Sequence, residues 1–261
     1  MDPETEHSSA TPSMPPSNKA VWGDNSAIGR DKSLLKLGAS FGLLGLVIQI
    51  AMDQLHPHRA APNDSVNAFR EYAASGTWTA VHIGQFVGTL LIALAFIALA
   101  NSLHQQPGVA GALAVVGAVT AILVAAVFAV QMAVDGVALK AAINTWVSAQ
   151  SPADQSAAFQ VAESVRWTEK GLGGFFQLIN GLTLVALGIS IAAGHRYPKW
   201  IGFVGVFAGL GFMAGGTATA HTGFSPMSGW FLTPATLLLA VFLVGVVILM
   251  WQRSRRAETP T

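Results

Sequence analysis

One pattern recurs six times along this chain. It is a stretch of about twenty residues that is apolar and almost free of Asp, Glu, Lys and Arg, at residues 34–52, 79–101, 109–133, 171–193, 200–220 and 230–251. About 20 apolar residues in an α-helix cross the hydrocarbon core of a bilayer, and no water is present there to satisfy irregular backbone. The pattern therefore predicts an all-α integral membrane protein with six transmembrane helices. Composition agrees: 52% of residues are hydrophobic and only 10% charged, against about a quarter charged in ordinary soluble domains.

With six spans the connections alternate sides, and their charges differ. The set that includes both termini has Lys19, Arg30, Lys32, Lys36, Arg196, Lys199, Arg253, Arg255 and Arg256; the other set has Arg59, Arg70, Lys140, Arg166 and Lys170. Cationic residues gather on the cytoplasmic side, most reliably beside helix ends in short segments. Both termini are therefore expected in the cytoplasm. Ala- and Gly-rich helices without cysteine suggest a bacterial inner membrane. The expected organisation is a disordered cytoplasmic tail over 1–32, a six-span membrane domain over 33–252 and a basic cytoplasmic tail over 253–261. The Ser- and Pro-rich start has no charged segment leading into a short apolar run, so it reads as a tail rather than a signal peptide.

Two connections on the far side carry helix signals. Asp64 or Ser65 can cap a short helix with Val66, Phe69 and Tyr72 on one face, ended by Gly76. The third span runs on through Gly136 to Ile143 and Trp146, and Ser151-Pro152 with Asp154 then starts the fourth. Spans three and four would project as an extracytoplasmic helical hairpin. A shift of 91 residues lays His104 and Pro107 on His195 and Pro198, and Gly111 on Gly202. Read as a repeat, this makes spans two to five a four-helix core flanked by spans one and six. The plainer reading is two short turns that each use a proline to start the next helix.

Polar side chains cluster by depth. Toward the far side lie Gln49, Asp53, His82, Gln85, Gln131, Asp135, Glu169, Gln177, Asn180, Thr217, Thr219, His221, Thr233 and Thr236, whereas the cytoplasmic halves read as runs such as Ile92–Ala100 and Leu237–Met250. Such residues within spans usually face the bundle interior or a wet cavity. An outward-facing pocket follows, and the apolar inner halves disfavour a permanent channel. His82 and Gln85, like Gln177 and Asn180, are three residues apart and share a helical face.

The net charge of +1 and the lack of a basic stripe exclude nucleic acid as a partner. The absence of cysteine excludes disulfides and thiolate chemistry. A metal would need His, Asp or Glu, with His82 and His221 as candidate ligands, yet no His-Glu-x-x-His or di-iron Glu-x-x-His signature occurs. The same two histidines could hold a single b-type haem. Two haems are disfavoured, because His82 and His104 are about 33 Å apart along one helix at 1.5 Å per residue. The remaining chemistry is acid–base. His82, Asp135, Glu169 and His221 are the expected catalytic residues, with Gln85, Gln177 and Asn180 as orienting donors and Trp78 and Trp167 at the pocket mouth. Tryptophans at span ends also fit an aromatic belt. The leading expectation is a membrane-embedded enzyme acting on a lipid or lipophilic small molecule in contact with the bilayer. The alternatives are a small-solute transporter and an accessory subunit that docks a partner through its hairpin.

Overall fold

A computed structural model describes residues 19–256. Of the expected tails, residues 1–18 and 257–261 lie outside the described residues, and the expected boundary at 32 falls inside the first helix. The described residues form eight α-helices with no strand: α1 (Lys19–Leu55), α2 (Ser65–Ala74), α3 (Trp78–Leu103), α4 (Val109–Ala133), α5 (Lys140–Ser148), α6 (Pro152–Ala193), α7 (Lys199–Thr222) and α8 (Pro226–Arg256). A π-helical segment, Val134–Leu139, joins α4 to α5 without a break. Six helices are long and apolar enough to cross a membrane, which fits a multi-pass membrane protein.

The local signals act as the sequence implies. Asp64 caps α2 by accepting from the Asn67 amide. Ser151 caps α6 by accepting from the Asp154 amide, with Pro152 in the first turn. α6 has 42 residues, about 63 Å at 1.5 Å per residue, which is twice what a bilayer core of about 30 Å needs. Its surplus pairs with α5 as a hairpin at the end of the molecule opposite the termini. Phe69 of α2 is fully buried there, with ring centroids 5.8 Å from Phe159 and 6.1 Å from Trp146. Each such aromatic pair contributes about 0.5–1.5 kcal/mol beyond area burial. Lys140 fastens the C-terminus of α2 by donating from Nζ to the carbonyls of Tyr72, Ala73 and Ser75, at 2.6, 2.8 and 3.0 Å. A cation is favoured at that negative helix end.

The long helices close a ring in chain order. α1 packs on α3, α3 on α4, α4 on α6, α6 on α7, α7 on α8, and α8 returns to α1. This differs from the expected four-helix core: α3 and α7 do not pack closely enough to close a bundle, and α1 and α8 are ring members rather than outriders. Gly111 and Gly202, equated by the 91-residue shift, also do different work. A Cβ at Gly111 would strike the Gln106 carbonyl of its own turn, whereas Gly202 faces α6.

The α6–α7 contact is the closest-fitting. Gly174, Gly181 and Gly188, seven residues apart, meet Gly216, Gly209 and Gly202 of the antiparallel α7. A Cβ on any of the six would stand only 2.5–3.0 Å from its partner's carbonyl oxygen. Small residues allow this approach, and the Cα–H groups can then lie against carbonyls across the interface. At the terminal half of the ring, Leu35, Phe96, Leu99, Leu187, Ile191, Ile201, Phe242 and Met250 fill the centre. At the hairpin half the centre is open.

Candidate functional site

Two cavities occupy the open half of the ring. The deeper chamber has a volume of about 600 Å³ and takes side chains from all six long helices. Phe96, Phe176, Phe212, Ile92 and Leu243 supply its apolar wall, and Gln49, Gln85, Thr89 and Asn180 its polar points. The second, of about 390 Å³, lies nearer the hairpin as a vestibule walled by His56, Tyr72, Gln131, Asp135, Arg166, Glu169 and Phe224. Gln49 and Gln85 line both, so the two meet at that pair. Gln49 Nε2 donates to the Gln85 carbonyl at 3.0 Å and also to Thr89 Oγ1, which fixes α1 on α3 at the junction.

A buried ionic cluster forms the vestibule wall. Arg166 Nη1 donates to Glu169 Oε2 at 2.8 Å and lies 3.9 Å from Asp135 Oδ1. Arg166 Nη2 donates to the Tyr72 hydroxyl at 3.2 Å and to the Pro62 carbonyl at 3.4 Å. Asp135 Oδ2 is 3.0 Å from His82 Nε2. His82 Nδ1 is 2.7 Å from the Trp78 carbonyl, which can only accept, so that nitrogen bears its proton. With Nδ1 so engaged, His82 Nε2 is left to face Asp135 Oδ2 and orients that carboxyl group. Arg166 faces Glu169 on the other side of the cluster. A buried set of ions is tolerated only when paired and hydrogen-bonded like this.

The π segment aims Asp135. A π turn inserts a residue into the helix and upsets its regular carbonyl pairing. The carbonyls of Asp135 and Gly136 are taken by α3, through Trp78 Nε1 at 2.9 Å and Thr79 Oγ1 at 2.8 Å. Gly136 is required for this approach, because a Cβ there would be 2.6 Å from His82 Cβ. Trp78 sits between Tyr72 and His82, with ring centroids 4.2 and 4.4 Å away, and the His56 ring closes the stack 5.3 Å from His82. Burial, reinforced by the neighbouring His82, holds the His56 imidazole below its usual 6.5, so it is neutral at neutral pH. Burial likewise raises the Tyr72 hydroxyl above its usual 10.0, with Arg166 opposing.

Of the residues singled out from sequence, the structure brings together His82, Asp135 and Glu169, with Gln85 at the junction and Asn180 on the chamber wall. Trp78 is fully buried behind His82 rather than at a mouth. Trp167 is 51% exposed and faces outward, with Lys170 Nζ over its ring at 4.4 Å. Gln177 packs by its Cβ toward Gly216 of α7 and lines neither cavity. His221 is exposed on α7 and also lines neither. The pair read as metal or haem ligands is thus not assembled: His82 commits both ring nitrogens to Trp78 and Asp135, and His221 lies elsewhere. Among the described residues no three His, Asp or Glu side chains converge as a metal site would require.

Sequence reasoning did not single out Arg166 or Tyr72 as site residues, and it gave His56 and Gln131 no specific role. The usable signal was phase: α6 is unbroken, so Arg166 stands one turn before Glu169 on the same face. No known protein family, curated protein or solved structure matches this chain.

Proposed function

We propose that this chain is a multi-pass membrane enzyme that takes a lipid or lipophilic small molecule into the chamber and transfers protons at its polar end in the vestibule. The observation that carries this reading is the junction at Gln49 and Gln85, where an apolar chamber of about 600 Å³ opens onto a wall of acid–base groups. That volume lies within the roughly 300–1,000 Å³ of small-molecule sites. Asp135 and Glu169 are the acid candidates, and the neutral His56, beside His82 in the same vestibule, is a proton acceptor. His82 acts behind them as a positioning residue that orients Asp135, and Arg166 keeps both carboxylates in place. The bias of Lys and Arg toward the terminal side supports placing both termini in the cytoplasm, with the vestibule on the far side of a cell membrane of the bacterial inner type.

The test uses purified protein in vesicles made from a bacterial lipid extract, incubated in D₂O and analysed by mass spectrometry. We expect one lipophilic species to be converted or to gain deuterium, with the change lost in Asp135→Asn and Glu169→Gln. A species that crosses the vesicle wall chemically unchanged would instead carry the transporter reading.

A further inference from the structure

The chamber opens sideways. Among its lining residues Ile50, Asp53, Gln54 and Thr236 are exposed, and all four lie on α1 and α8; those from α3, α4, α6 and α7 are buried or half-buried. The packing of these two helices explains the opening. At the terminal half α1 packs on both neighbours: Gly38 sits on Ala98 of α3 and reaches Met250 of α8, and Gly42 faces Val247 and Leu243 of α8 with Ala95 of α3 beside them. Toward the hairpin end each helix is drawn to its other neighbour. α1 leans on α3 through Gly45 against Gly88 and Met52 against Gly84, and α8 leans on α7 through Ala235 against Gly211 and Leu232 against Gly215. A gap must form between them.

The surroundings of the gap are apolar. Val47, Ile50, Leu237 and Val241 are each at least half exposed around it, so its outer face meets hydrocarbon rather than water. Asp53 and Gln54 lie nearest the hairpin end of α1, at the depth where headgroups begin. Pro234, inside α8 at the same level, has no amide hydrogen to bond the preceding turn, which weakens that helix locally.

We propose that the gap between α1 and α8 is a lateral portal through which a membrane-resident, single-chain amphiphile passes from the bilayer into the chamber, polar end toward Gln49 and Gln85. The uncharged Gln, Asn and Thr points of the chamber select a ligand whose polar group is neutral, such as an alcohol or carbonyl, and the single carboxylate at the portal, Asp53, turns away anionic headgroups. This inference rests on the chamber being a ligand site, as proposed above.

The chain contains no cysteine, so an introduced pair is unique. Ala51→Cys with Leu237→Cys places thiols on the rim outside the chamber lining, and a bismaleimide then ties α1 to α8 across the gap. The control pair, Leu44→Cys with Ile248→Cys, ties the same two helices at the terminal half, across a surface groove that is separate from the chamber. Uptake of a long-chain alcohol with a pyrene at its tail is followed in vesicles by energy transfer from the protein tryptophans. Cross-linking the rim pair is expected to slow uptake at least tenfold and to trap probe loaded beforehand, while the control pair has no effect. Unchanged uptake after rim cross-linking, together with loss of binding in the chamber-filling Ala93→Trp, would overturn the portal and leave the chamber standing. Binding that is absent in the uncross-linked protein, or unaffected by Ala93→Trp, would overturn both.

Discussion

Arg166 is the residue on which the buried cluster depends. It is 3% exposed and stands between Glu169 and Asp135. Without it two carboxylates would share a dry wall. Arg166→Met is therefore expected to cost about 3–5 kcal/mol, the usual loss when one partner of a buried ion pair is removed, measured by chemical unfolding in detergent. Arg166→Lys should recover only part of this, because a single ammonium cannot reach Glu169, Tyr72 and Pro62 together. His56 makes a second prediction. Its folded-state value lies below 6.5, so between that value and 6.5 the unfolded chain binds more protons than the folded one. Its contribution is present above pH 6.5 and lost as the pH falls through the folded-state value. The slope of stability against pH between 7 and 5 should shrink in His56→Phe; an unaltered slope would contradict the half-buried, neutral imidazole. His82, Asp135 and Glu169 were legible in the sequence as polar groups within or at the far-side ends of apolar spans. Arg166 was not, because its position near a connection suits a solvated surface equally well, and only the uninterrupted run of α6 places it inside.

At the scale of the element, the α6–α7 seam and the π segment differ in how they could be read. Helix starts were legible because capping is local: Ser151, Pro152 and Asp154 act within one turn. The seam is a long-range property, since three glycines on each helix matter only once the register of α7 against α6 is known. Gly181→Val should therefore destabilise by about 1–3 kcal/mol as an overpacked contact, its Cβ being only 2.6 Å from the Gly209 carbonyl. Gly229, where a Cβ would meet nothing within 4 Å, provides the comparison: Gly229→Ala should be neutral or stabilising by about 0.5–1 kcal/mol. Comparing the two in one thermal-shift series separates packing from the entropy of losing a glycine. The π segment left no trace in periodicity, because one extra residue in a helix of forty barely alters the apolar pattern. Deleting Val137 should return Val134–Leu139 to regular α-helix and swing Asp135 away from His82. Loss of any proton-transfer activity with the helix content unchanged by circular dichroism would show this.

For the whole molecule, the six long apolar helices followed from hydropathy, while their arrangement did not. A weak repeat suggested a core of spans two to five, yet the glycines of α1 at Gly38, Gly42 and Gly45 seat that helix between α3 and α8. Closing the ring creates a centre that no four of the helices would enclose. Filling that centre is the corresponding test: Ala93 is 3% exposed and lines the chamber, so Ala93→Trp should abolish binding of a co-purifying lipophile, read by native mass spectrometry. The ring also means that sequence order and spatial order coincide. Because α8 returns to α1, the topology has no privileged first helix. A circular permutant opened between Pro107 and Gly108, both exposed and just beyond the buried Gln106, with the α1 and α8 ends joined by a flexible linker, should assemble into the same barrel of helices, since every helix–helix neighbour relation survives the cut.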